Sequence, residues 1–175
     1  VAGWGRDGGG RGAGGRSGRE KGEGGYRGAQ AGLAAKGGDL VLGRINYGLG
    51  SRKGQGREQG LREALGEVER VKGLYTLNVL AEVDDAREKT LALLREHPEI
   101  NVVVGFNEPT AVGAAEAVEC LGLGGAVAVV GFDSNVKTVD LMQTGVVSAL
   151  IVQSPYAMGY RGAVPACRLL AGQTV

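Results

Sequence analysis

Two short runs constrain this chain more than any other feature: INVVVGF at 100–106 and AVAVVGF at 126–132. Both are continuous apolar segments rich in β-branched valine, and both end on Gly-Phe before a polar residue. A strand that is apolar at every position has no face to give to water. It must be covered on both sides, as strands are in parallel sheets flanked by helices. Each run leads into a helical segment. Asn107 or Glu108 opens a helix that carries Pro109 in its first turn, where the missing N–H costs nothing, and ends at Gly122. The second run leads to a short helix at 135–145.

The same alternation extends in both directions. Strands are expected at 39–45, 71–80 and 146–153. Helices are expected at 55–68, with Leu61, Leu65 and Val68 on one face, and at 84–97, with Ala86, Leu91, Leu93 and Leu94 available for its apolar side. Pro98 stops the latter. A further helix at 155–172 carries Pro165, and 27–36 has a weak, glycine-diluted helical pattern. Strand and helix in strict alternation imply an α/β fold with a parallel sheet and helices on both faces.

Residues 1–25 stand apart. Nearly half are glycine, four are arginine, and no hydrophobic period runs through them, so the tract is expected to be irregular or disordered. Its GRGAGG satisfies a dinucleotide-binding glycine pattern only literally, because no apolar strand precedes it and no helix follows. Binding to RNA through this tract is not expected either. Asp7, Glu20 and Glu23 interrupt its charge, and the whole chain carries a net charge of only +1. Cys120 and Cys167 have no metal-ligand spacing, and each falls on the apolar side of a predicted helix. Both are expected to be buried free thiols, with a single disulfide as the alternative in an exported protein. No apolar run reaches transmembrane length, and no stretch reads as a signal peptide in a chain that begins with Val. His97 is the one histidine, placed at a helix end, and no serine or cysteine is set to use it as a base. Neither an enzyme nor a cofactor or metal site is expected.

Ligands of open parallel sheets bind beyond the carboxyl ends of the strands. At those ends the sequence places Asn107, then Phe132-Asp133, then Gln153, while the loop after the first strand delivers Arg57 into the start of its helix. A carboxylate accepts hydroxyl hydrogen bonds, amides donate and accept, and a guanidinium forks across neighbouring oxygens, so the set suits a polyhydroxylated or small zwitterionic solute. The structural alternative is local. Asn107 can serve only as a helix N-cap, and Asp133 or Ser134 only as the cap of the next helix.

The segments VVVGFNEPTAVGAAEAV, VAVVGFDSN, LMQTGVVSALIVQSPYAMGYRG and GREQGLREAL resemble, in order and spacing over roughly residues 26–172, the ribose-type periplasmic substrate-binding proteins of ABC transporters. LacI-type regulators share that fold, but TGVVSALIVQ stands where they carry a proline-leucine-threonine-threonine stretch. The resemblance implies a three-layer lobe of a clamshell, with 26–153 as the ligand-binding lobe and 154–175 as a helix returning to a first lobe that is largely missing from this chain. It implies that Arg57, Asn107, Asp133 and Gln153 contact the ligand and that Phe132 is a wall residue. No aromatic stands in LAEVDDAR, where family members often carry one. It further implies a sugar or similar solute delivered to a membrane permease, in the periplasm or on a cell-surface lipoprotein. The alternative is a sensor module of the same fold coupled to a kinase or a transcription regulator. A lone lobe would also expose a face that favours self-association.

Overall fold

The computed structural model describes residues 38–48, 52–66 and 69–174. The tract at 1–25, the weak helix at 27–36 and Val68 lie outside them. Among the described residues, five strands and five helices alternate: β1 (Leu40–Tyr47), α1 (Arg52–Gly66), β2 (Val71–Val79), α2 (Val83–Glu96), β3 (Val102–Gly105), α3 (Glu108–Cys120), β4 (Ala128–Phe132), α4 (Val136–Gln143), β5 (Val147–Ile151) and α5 (Pro155–Leu170). The α/β expectation holds element by element. Bounds move by a few residues, most in α1, which begins at Arg52 and so carries Arg57 in its second turn instead of its start.

All strand pairs are parallel, in the order β2-β1-β3-β4-β5. The chain steps outward from β1 to β2, then reverses across β1 to β3, β4 and β5. Parallel crossovers are right-handed, so a reversal of direction moves the connecting helices to the opposite face. The two cores follow that rule. Leu61 and Leu65 of α1 pack on Leu40, Leu42, Val102, Val104, Val130 and Phe132. On the other face, Ala86 and Leu94 of α2, Val112, Ala115 and Val118 of α3, and Leu141 of α4 cover Ile45, Val103, Val129 and Val147. Alternate residues of β3 and β4 thus enter different cores, which is why both strands are apolar throughout. Helices α2 and α3 cross tightly: a Cβ on Gly113 would lie 2.5 Å from the Val83 carbonyl oxygen.

The expected burial of the cysteines is overturned. Cys120 and Cys167 are both free and exposed. Cys120 lies in the last turn of α3, beyond the buried stripe that ends at Val118. Cys167 belongs to α5, where none of the sixteen residues is buried.

Candidate functional site

The reversal of strand order puts the topological switch point between β1 and β3, and ligands of such sheets bind beyond the carboxyl ends of the strands there. Strand register extends that edge into a row. Ile45 pairs with Gly105, so Tyr47 and Asn107 lie level two residues further on. Val104 pairs with Val130, which brings Asn107 and Asp133 level three residues further on. Phe132 pairs with Ile151, so Gln153 follows just past Asp133. Neighbouring strands are about 4.8 Å apart. Asn107, Asp133 and Gln153 therefore follow the carboxyl ends of neighbouring strands.

Asn107 does cap α3. Its Oδ1 accepts from the Thr110 amide at 3.0 Å, and its own amide donates to Thr110 Oγ1 at 3.0 Å. Gly105 makes this geometry accessible, since a Cβ there would lie 2.6 Å from the Ala111 backbone nitrogen. With Oδ1 used by the cap, the carboxamide turns its Nδ2 donor the other way.

Asp133 behaves differently. The cap of α4 is Asn135, which uses its own capping box with Thr138, so the expectation of Asp133 or Ser134 as the cap is corrected. Asp133 is instead the one non-glycine residue with positive φ among those described, at 67°. Its amide donates to the Ile151 carbonyl, and its Oδ1 accepts from Gln153 Nε2 at 2.5 Å. A strained aspartate bonded to the next strand's exit residue is a local cost of the kind that accumulates at ligand sites. Asp133 and Gln153 line a depression of about 450 Å³ with Ser134, Val152, Pro155 and Met158. Asn107 and Arg57 lie outside that lining.

Arg57 is 5% exposed. Its Nη1 donates to the Phe106 carbonyl and, at 2.7 Å, to the Tyr47 hydroxyl. The guanidinium lies 5.1 Å from the centre of the Phe132 ring, which is itself fully buried and edge-on to Phe106 at 5.8 Å. Phe132 thus lies as a fully buried floor beneath the Arg57 guanidinium. The next residue of α1, Glu58, pairs with the buried Arg44 of β1 at 2.9 Å, and Arg44 also donates to Thr76 Oγ1 at 2.7 Å. Burial pushes the Arg44 pKa down, and Glu58 partly restores it. This pair ties α1 to the sheet one residue away from Arg57.

Sequence reasoning missed Tyr47 and Arg44. A strand drawn to 45 left Tyr47 in a loop, and a charged residue inside an apolar strand carried no partner signal. The cap at Asn107 was read from the sequence and the one at Asn135 was missed, although Asn-x-x-Thr marks both, at 107–110 and 135–138.

Residues 20–174 match the periplasmic binding protein domain family. The D-ribose/D-allose-binding protein of Pseudomonas aeruginosa is 33% identical over 93 residues, which are 53% of this chain and 29% of that protein. The D-allose-binding periplasmic protein of Escherichia coli is 27% identical over 130 residues, 74% of this chain and 41% of that one. The chain therefore spans less than half the length of these relatives. Among solved structures, the periplasmic component of an ABC-type sugar transport system from Hahella chejuensis superposes with a TM-score of 0.80 at 26% identity, over 90% of this chain and 57% of that one. A periplasmic solute-binding protein from Actinobacillus succinogenes with bound D-allose gives 0.77 at 26% identity, over 89% and 55%.

Proposed function

The chain belongs to the periplasmic binding protein domain family, and from that premise we propose that residues 26–153 form a lobe that binds a sugar, without chemistry, for delivery to an ABC-type permease outside the cytoplasm. The observation that carries this reading is the row of Arg57, Asn107, Asp133 and Gln153 along the carboxyl edge of a parallel sheet. The names of the relatives, which bind ribose and allose, support a monosaccharide as the solute.

The row suits such a ligand chemically. Asn107 Nδ2 and Arg57 supply donors at one end. The second Asp133 oxygen and the Gln153 carbonyl oxygen supply acceptors at the other. A sugar offers both complements on one ring. A carboxylate that accepts hydroxyl hydrogen bonds in a half-buried cleft is worth about 2 kcal/mol of binding, so Asp133→Ala weakens affinity by that amount or more.

The test is a thermal-shift and titration series of the whole chain against pentoses, hexoses, polyols and amino acids. A ligand that binds only the folded state raises Tm by mass action. A saturable shift with a sugar that Asp133→Ala abolishes supports the reading. Absence of any shift across the series, or an affinity unchanged in Asp133→Ala, sinks it.

The bare surface of α5 supports self-association of this chain as a second part of the reading: Tyr156 is 82% and Leu170 90% exposed. Light scattering after size exclusion checks it, and a strictly monomeric species at high concentration counts against it.

A further inference from the structure

Resting on the sugar-binding reading above, we propose that Tyr47 is a specificity-determining residue of the cleft. It holds the Arg57 guanidinium over the floor and presents its own O–H to an acceptor oxygen of the solute.

Three observations carry this. The first is place. Tyr47 ends β1 at the switch point, level with Asn107 by register, so it extends the row by one strand. The second is contact. Arg57 Nη1 lies 2.7 Å from the Tyr47 hydroxyl, and its guanidinium carbon is 5.9 Å from the Tyr47 ring centre while lying 5.1 Å from that of Phe132. The cation is held by the Tyr47 hydroxyl on one side and lies against the Phe132 ring on another, so it cannot swing without losing both contacts. The third is polarity. A guanidinium has no acceptor, so in this bond the phenol oxygen must accept. The phenol hydrogen is then left to donate elsewhere, and Tyr47 is half-buried, with part of its surface facing out.

These assignments give the row a direction. From the β1 end, Tyr47 O–H, Arg57 and Asn107 Nδ2 are donors. Towards β5, Asp133 and Gln153 keep acceptor oxygens. A solute that fits places lone-pair oxygens, such as a ring or carbonyl oxygen, against β1 and β3, and its hydroxyl hydrogens against β4 and β5. On this reading the half-buried Tyr47 ring closes the β1 end of the row and limits how long a solute can lie there.

The experiment uses the whole chain as wild type, Tyr47→Phe, Tyr47→Ala and Asp133→Ala. Each is titrated with D-ribose, D-xylose, D-allose and D-glucose by two-dimensional NMR, following backbone amides and the Arg57 Nε–H signal. Tyr47→Phe keeps the ring and removes only the oxygen. It is expected to weaken every sugar the wild type binds by about tenfold and to move the Arg57 signal towards that of a free arginine. Tyr47→Ala opens the β1 end and is expected to raise the hexose-to-pentose preference on the order of tenfold. If Asp133→Ala loses binding while both Tyr47 variants keep the wild-type affinities and sugar order, the proposal falls and the site reading stands. If no sugar gives a saturable shift with the wild type, both fall. Should Tyr47→Ala lose its fold, Tyr47→Phe alone decides.

Discussion

The same dipeptide, Gly-Phe, closes β4 and straddles the end of β3, and each is followed by an Asx residue and a helix, yet the two junctions are built differently. After β3, Asn107 follows Phe106 directly and caps α3 at once. After β4, Asp133 occupies that position, but the cap falls two residues later at Asn135. Both caps use the same partner, a threonine at the third helical position. The two extra residues release Asp133 from capping, turn its backbone left-handed and aim its carboxylate at Gln153. One junction spends its side-chain oxygen on the helix, whereas the other turns a carboxylate to the exit of the next strand. Moving a cap by two residues is thus enough to free an Asx side chain from the helix end.

The largest effect expected from breaking this comparison lies in the glycines before the two phenylalanines. A Cβ on Gly105 would meet the backbone of Thr110 and Ala111 within 2.8 Å, whereas one on Gly131 would meet side chains, Ala111 Cβ at 2.9 Å and Leu150 Cδ2 at 3.0 Å. Backbone cannot yield as a leucine can. Gly105→Ala should cost about 3 kcal/mol in urea unfolding and Gly131→Ala about 1 kcal/mol. Equal losses would mean that the α3 entry is looser than its geometry.

The caps come next. Asn107→Ala and Asn135→Ala should each cost about 1 kcal/mol of stability. Asp133→Gly should be neutral or stabilising by about 0.5 kcal/mol, since relief of the left-handed backbone offsets the greater freedom of glycine in the unfolded chain. The same substitution should weaken sugar binding. Opposite signs for stability and affinity at Asp133 would separate it from the caps, and a stability loss as large as theirs would erase the distinction.

The smallest effect concerns what joins the two helices. Glu116 of α3 pairs with Lys137 of α4 and with Arg87 of α2, the latter at 3.3 Å. Burial raises the Glu116 pKa, but the two cations outweigh it and hold the value below the ordinary one. A depressed folded-state pKa contributes stability above the unfolded value, which is lost as pH falls through the folded one. Glu116→Gln should therefore be less stable than wild type at neutral pH, with the difference closing below roughly pH 4. A difference that persists in acid would point to shape and not charge.

Much of the fold was legible because its signals are local. The valine runs at 102–104 and 127–130 announce strands covered on both faces, and the prolines at 98 and 109 mark helix ends. Local patterns reached less far in the site. Asn107, Asp133 and Gln153 were visible as strand-exit residues, but Tyr47 was not, because its role depends on Arg57 ten residues on and on a strand two residues longer than its apolar pattern. The cysteines misled for a similar reason: Cys120 falls beyond the packed stripe of α3, and Cys167 lies on α5, none of whose residues is buried.

By itself the sequence determined the alternation of strands and helices, the parallel sheet and the polar residues carried to its carboxyl edge, since periodicity, β-branching and end signals act between residues a few positions apart. Tertiary structure alone decided that Asp133 bonds Gln153, that Arg57 lies against the Phe132 ring and that Tyr47 meets the Arg57 guanidinium. Those outcomes rest on contacts between residues far apart in the chain, on different elements of the fold. Strand register and helix placement bring such groups together, and no local pattern records them.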